Sequence, residues 1–303
     1  MKLIYTASQV REAEKPYIEA ADYDGYLMQR AADAVAAEAQ ELLHGKDTAK
    51  ILLLIGPGNN GADTIYAGAR LSANGHRVDA VIFDSSEKNL ELIAREGGEG
   101  TRVLDPEHTL EQLAGYDLTI DGILGTGSSG AVRGSAGEYL GVLRAAQLDG
   151  KLGAVLAVDT PSGVDNNRGT VHEPSLRADR TVTFIGHKLP AGTSHSVHSG
   201  DIKLYDLGVP EALDAHKPAL RVLDREDYRE LIEIPDEHSH KYTRGVLGML
   251  TGSLEYPGAA LMSVRAALNT GVGMVRFNGK DDTLRTLMLG QNPETVCFTG
   301  PPA

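Results

Sequence analysis

The sequence predicts a three-layer α/β fold built on a doubly wound, mostly parallel sheet. Short apolar runs alternate with helical stretches along the chain, and several runs end abruptly in loops rich in Gly, Asn, Asp or Ser. The 303 residues are 41% hydrophobic and 23% charged, the balance of a soluble globular chain long enough to bury a substantial core.

From Thr6 to about Leu43 the pattern is helical, with Thr6 or Ser8 available as a cap and Leu27, Met28, Ala31, Ala34 and Val35 on one face. Six apolar runs follow, at residues 51–55, 78–83, 118–120, 154–158, 181–184 and 202–205. Continuous rather than alternating apolar strands, separated by helices, imply a parallel sheet covered on both faces. This Rossmann-like domain is expected to occupy residues 1–215. Near Arg225 the character changes: Asp224, Glu226, Asp227, Glu230, Glu233, Asp236 and Glu237 crowd together and Pro235 breaks the run. Charge alone allows an interdomain connector, set here at 216–235, or a solvated acidic helix. Beyond it, residues 245–252 read as a strand and turn, 257–269 as a small-residue helix and 274–277 as another strand.

A formal net charge of −13 argues against nucleic acid as a partner, since no basic surplus exists to replace phosphate counterions. A lone cysteine, Cys297, excludes an intrachain disulfide and a cysteine-based zinc site. No apolar stretch has the length of a signal peptide core or a membrane span, so a cytoplasmic setting without a membrane partner is expected. His172, His187, His195 and His198 raise a zinc site, but Ser194, Ser196, Ser199 and Gly200 read as a loop with no common face to present them.

Three strands run directly into unusual loops, and in open α/β sheets such loops converge on a crevice beyond the carboxyl ends of the strands. The first, Gly56-Pro57-Gly58-Asn59-Asn60-Gly61-Ala62-Asp63, offers backbone N–H groups at a helix start and satisfies G-x-G-x-x-G, with Asp84 after the next strand. A tight turn or a dehydrogenase fingerprint would explain its glycines; neither explains the Asn59–Asn60 pair. The second, Asp121 to Gly130, places a carboxylate at a strand end and then glycines and hydroxyls that can wrap phosphate. The third, Val158 to Asp165, holds Asp159, Pro161 and Ser162; alone, Asp159 could merely cap a turn.

GPGNNGADT, DGILGTGSSGAVRG, VDTPSGVD, the segment Phe184–Lys188 and DLGVP (Asp206–Pro210) resemble, in order, the motifs of the YjeF N-terminal family, the NAD(P)H-hydrate epimerases. The opening residues 5–10 and 27–32 resemble that family's N-terminal helices. The match covers roughly the first 215 residues. It departs at Ala62, where the family usually has a second glycine, at Thr64, where it usually has another small residue, and at His187-Lys188, usually Pro-Lys. Ala62 is tolerable unless its backbone needs a positive φ. From Asp236 the chain resembles the start of the ADP- or ATP-dependent NAD(P)H-hydrate dehydratase, with a ribokinase-like fold, through Lys241–Gly245, Gly252–Ser253, Tyr256–Ala260 and Arg265–Leu268. That second segment, 236–303, is incomplete by this comparison, and no dehydratase activity is expected of it.

The resemblance implies a substrate, NADH or NADPH hydrated at C6 of the nicotinamide ring (NADHX or NADPHX), whose configuration at C6 is inverted. It implies Asp159 as catalytic acid/base and substrate contact. Asn59, Asn60, Gly61, Ala62 and Asp63, with Gly125, Thr126, Gly127, Ser128, Ser129, Gly130 and Ala131, would hold the dinucleotide. Asn60, Asp121 and Ser162 would supply side-chain oxygen to a potassium ion, as a hard cation requires. Lys188 is either a further charge near the phosphates or a surface lysine. No arginine stands beside Asp84, which leans away from dependence on a 2′-phosphate. A homodimer is expected on the resemblance alone. A dehydrogenase, or a non-catalytic binding or scaffold module on the same fold, is the rival; the first leaves Asn60, Asp121 and the Asp159 loop unexplained.

Overall fold

The computed structural model describes residues 1–83, 87–98, 100–127, 129–232 and 234–299. The expected Asp84 and Ser128 lie outside the described residues. The chain divides into two units, Met1–Glu226 and Asp227–Ala303.

The first unit begins with strand β1 (Lys2–Tyr5) and helices α1 (Ala7–Ile18) and α2 (Tyr26–Leu42), followed by β2 (Lys50–Ile55), α3 (Asn59–Ala73) and β3 (Arg77–Ile82). Next come α4 (Glu87–Glu96), β4 (Thr101–Val103), α5 (Pro106–Leu110), β5 (Leu118–Gly122), α6 (Gly134–Leu148) and β6 (Ala154–Val158). Strands β7 (Arg180–Phe184), β8 (His187–Lys188), β9 (Asp201–Tyr205) and β10 (Leu220–Val222) lead to α7 (Arg225–Leu231), which carries the division between the units.

The main sheet has seven strands in the order β4-β3-β2-β5-β6-β7-β9, and every neighbouring pair is parallel. From β2 the chain winds outward through β3 and β4, then returns to β5 and winds the other way. The order therefore reverses between β2 and β5, where such sheets open a crevice. The two-residue period of β2 divides the core. Ile51, Leu53 and Ile55 pack with Val35 of α2 and Ile65 of α3, while Leu52 and Leu54 face Tyr139, Leu140 and Leu143 of α6. Both faces are thereby covered, as the unbroken apolar runs require.

The helical pattern expected from Thr6 to about Leu43 is divided into two helices. Pro16 lies near the end of α1, and α2 restarts from Gly25 at φ 88°, a left-handed conformation that glycine adopts without Cβ strain. Thr6, not Ser8, caps α1 through a reciprocal box: Gln9 N donates to Thr6 Oγ1 at 3.2 Å and Thr6 N donates to Gln9 Oε1 at 2.9 Å. Thr6→Ala is expected to lower stability by about 1 kcal/mol, read as the urea midpoint.

A second small sheet, which local sequence pattern does not reveal, ties down the start of the chain. β1 pairs antiparallel with β10 and parallel with β8, with Tyr5 opposite Lys188. In the second unit, β11 (Val246–Met249), β12 (Met274–Asn278) and β13 (Val296–Phe298) form a parallel sheet. Helices α8 (Pro257–Asn269) and α9 (Asp282–Gln291) cover it through Ala260, Val264, Val275, Phe277, Leu284 and Met288. Among the described residues no helix is long and apolar enough to cross a membrane.

Candidate functional site

The carboxyl ends of β2 and β5 meet in a contact so close that only glycine fits it. A Cβ on Gly56 would overlap the carbonyl oxygen of Ile123, and one on Gly61 would overlap the carbonyl oxygen of Gly56. Asn89 of α4 donates from Nδ2 to the Gly56 carbonyl at 2.7 Å, and Gly56 N donates to the Gly122 carbonyl at 3.2 Å. The loop after β2 is thus fixed against the loop after β5 at the reversal of strand order.

Asn60, in the first turn of α3, crosses this junction. Its Nδ2 donates to the carbonyls of Val158 at 2.6 Å and Leu124 at 3.3 Å, and the missing side chain of Gly125 makes room for its carboxamide. Beneath it lies Asp121, fully buried. Ser162 donates to Asp121 through its hydroxyl at 2.6 Å and its backbone N–H at 2.8 Å, and Leu124 N donates to Ser162 Oγ at 3.0 Å. Burial pushes the Asp121 carboxyl up, and the hydrogen bonds from Ser162 and Ile123 oppose that; no charged group contributes. Asn60, Asp121 and Ser162 are therefore brought together, with one buried carboxylate among neutral oxygens. A monovalent hard cation suits that donor set: it would balance the single charge and needs no thiolate or imidazole. Among the described residues no group of three or more His, Cys, Asp or Glu side chains could hold a metal ion, and His195 and His198 belong to a short 3₁₀ turn, Ser194–His198.

Above this cluster opens a cavity of about 410 Å³, within the range of small-ligand sites. Asn59, Asn60, Asp63, Gly125, Thr126, Gly127 and Asp159 line it, as do Pro57, Gly58, Ile123 and Leu124. Gly61 and Ala62 are buried in the first turn of α3 behind it, and Ser129, Gly130 and Ala131 are not part of its wall. Ala62 lies within the helix and is not among the residues of positive φ, so its methyl is accommodated.

Asp159 sits just past β6 at φ 66°, a left-handed conformation unusual for a residue with a side chain. Ile185, which also lines the cavity, has φ 64°, which a β-branched residue resists still more. Backbone strain of this kind persists where the surroundings over-determine it, as at ligand sites. The Asp159 carboxylate is 4% exposed and fully engaged. Thr126 Oγ1 donates to its Oδ2, Lys188 Nζ donates to its Oδ1, and Thr183 Oγ1 donates to Oδ1 at 3.1 Å. Lys188 Nζ also donates to Thr183 Oγ1 and to the Phe184 carbonyl, each at 3.0 Å. The surface reading of Lys188 is corrected: it is a buried partner of Asp159, held there because β8 is stitched to β1. Its neighbour His187 is pushed down to about 4 by burial and by Lys2 and Lys188, and so is neutral at neutral pH.

Sequence reasoning missed one wall of the cavity: Val10, Arg11 and Glu14, on one face of α1, together with Phe184 and Ile185. Burial raises the Glu14 carboxyl, Lys188 draws it down and Asp159 raises it. Asp63 is raised well above its ordinary value by burial, then by the charges of Asp159 and Glu14. The only advance signal for Glu14 was its place one turn after Val10 on a helix whose Ala7, Val10 and Ala13 are buried.

Residues 25–189 match the family model described as YjeF-related protein N-terminus. All of the chain aligns, at 31% identity, with 60% of the bifunctional NAD(P)H-hydrate repair enzyme Nnr of Mycobacterium leprae (strain TN). An NAD(P)H-hydrate epimerase of Microbacterium testaceum (strain StLB037) is 36% identical over 220 residues, covering 71% of this chain and 82% of that protein. In the crystal structure of yeast ynu0 the same fold recurs, with a TM-score of 0.54 at 19% identity, over 66% of this chain and 86% of that one. The chain spans about 60% of the length of the bifunctional mycobacterial relatives.

Proposed function

Because the chain belongs to the family of YjeF-related protein N-termini, we propose that its cavity interconverts the R and S forms of hydrated NADH or NADPH at C6 of the nicotinamide ring. One observation carries the reading: a buried, strained carboxylate at a strand end shares its cavity with two glycine-bearing loops at the reversal of strand order. The names of the relatives supply the substrate class.

C6 of such a substrate bears a hydroxyl and is bonded to ring N1. Inversion there requires the hydroxyl to leave and water to return on the other face, or the C6–N1 bond to open and reclose. Either route needs a proton given and taken near one oxygen, work suited to a carboxyl group in a partly dry crevice. Asp159 is assigned that work. Lys188, Thr183 and Thr126 orient it, since three donors on two oxygens leave its carboxylate little freedom to turn.

Residues 59–63 and 125–131 are assigned to the dinucleotide. The Arg11 guanidinium belongs with them: it lines the cavity beside Gly127, where a phosphate following the second loop would pass. Asn60, Asp121 and Ser162 are assigned to potassium, whose charge there would neutralise Asp121 and hold the three loops in register. The unit Asp227–Ala303 is assigned, on its segments Lys241–Gly245 and Gly252–Ser253, to the opening of a ribokinase-like dehydratase module.

The test is chiral chromatography of R-NADHX incubated with the protein, in potassium and in lithium buffers. Conversion to the S form should outrun the spontaneous rate in potassium and slow at least about tenfold in lithium. Asp121→Asn should erase the difference between the two salts. Dinucleotide binding without any acceleration would defeat the reading.

A further inference from the structure

Two carboxyl groups in the cavity have no part in the chemistry assigned above. Glu14 and Asp63 both line it with Asp159, and among the described residues neither is held by a hydrogen bond. Asp63 is buried and Glu14 half-buried, and a carboxyl group without a donor at a cavity wall is one that a ligand can satisfy. The two differ in where they come from. Asp63 belongs to the first helical turns of α3, on the same wall as Asn59 and Asn60. Glu14 descends from α1, an element outside the main sheet, whereas Asp159 rises from the end of β6 within it. A flat ring lying between α1 and the strand ends turns one face to each.

Inversion by loss and return of a hydroxyl has a requirement at both faces. The group on one face gives a proton to the departing oxygen. The one on the other takes a proton from the arriving water. Resting on the epimerase reading, we infer that Glu14 is the second catalytic group, serving the face of C6 opposite the one served by Asp159. In one direction Asp159 in its acid form protonates the hydroxyl. The C6–O bond breaks with its electron pair leaving as water, and the N1 lone pair forms the C6–N1 double bond. Water then adds to C6 from the α1 side, the double-bond pair returns to N1, and the Glu14 carboxylate takes the proton. In the other direction the two groups exchange roles, so no further reactant is consumed. Burial and the neighbouring Asp159 charge favour the protonated form of Glu14, while Lys188 opposes it.

The experiment is incubation of each separated epimer of NADHX in H₂¹⁸O with the unaltered protein, with Glu14→Gln and with Asp159→Asn. The epimers are then separated again and their label read by mass spectrometry. Glu14→Gln should lower inversion about 10²- to 10⁴-fold. It should still exchange the hydroxyl of one epimer with retention, because Asp159 can expel and readmit water on its own face. Asp159→Asn should label the opposite epimer. A misfolded variant would label neither above the spontaneous rate, so that outcome, in a Glu14→Gln protein of unchanged thermal midpoint, overturns the inference. So does full inversion by Glu14→Gln, labelling of the same epimer by both variants, or inversion by the unaltered protein without uptake of ¹⁸O. No inversion by the unaltered protein removes the epimerase reading and this one together; the other failures remove this one alone.

Discussion

Asp159→Asn should lower epimerisation by about 10²- to 10⁴-fold, the range typical of a lost general acid or base, while dinucleotide affinity stays within a few fold. Asparagine is the informative choice because it tolerates φ near 66° better than alanine would, and keeps an oxygen for Thr183 and Lys188. It cannot take up and release a proton. The substitution also strands the Lys188 ammonium, 4% exposed, without its counter-charge. Removing one partner of a buried pair costs about 3–5 kcal/mol, so a lowered melting temperature should accompany the lost turnover. The double variant Asp159→Asn, Lys188→Met separates the two effects. It should recover much of the stability and none of the activity. Turnover at the native rate in Asp159→Asn would remove this residue from the chemistry.

Gly56→Ala is expected to be the most damaging single methyl in the site. The new Cβ would overlap the oxygen, carbonyl carbon and Cα of Ile123, all backbone atoms that no rotamer change can move. Relief requires the ends of β2 and β5 to separate, although they are adjacent strands paired from Ile51–Leu118 to Ile55–Gly122. Overpacking typically costs about 1–3 kcal/mol, and a clash confined to backbone belongs at or beyond the top of that range. Gly58→Ala is the control. Its Cβ would meet nothing within 4 Å and its φ is −93°, so it should lose no more than the roughly 1 kcal/mol that alanine costs at a helix N-cap. Urea unfolding of the two variants decides the matter; equal midpoints would show that the junction of the two loops is softer than this geometry implies.

The difference between these two glycines was not legible in the sequence, where both belong to one G-x-G-x-x-G motif. What was legible followed from burial. β2 and β6 lie inside a sheet covered on both faces and are written as unbroken apolar runs, and β5 and β7 keep that burial with threonine as their only interruption before the strand end. The carboxylates of Asp121 and Asp159 stood out because each follows such a run directly. β8 and β10 could not be read: they have two and three residues, and they exist only because distant β1 pairs with both. Lys188 was misjudged for the same reason, since its burial depends on that long-range pairing and not on its neighbours. Glu14 was hidden differently. In the run Arg11-Glu12-Ala13-Glu14-Lys15 an acidic side chain reads as part of a solvated helix face, and only the placement of α1 over the strand ends turns it inward.

The pairing of β1 has a consequence for the order in which the molecule can be assembled. β1 lies between β8 and β10, Lys2 stands opposite Val222, and the terminal amine reaches Asp224 at 2.5 Å. β1 must therefore wait for nearly the whole unit before both of its neighbours are present. Closing so long a loop carries an entropic cost that local contacts do not offset early. A nascent chain halted before Leu220 would lack β10 and would have β8 alone to hold β1, and with it the helix that carries Glu14.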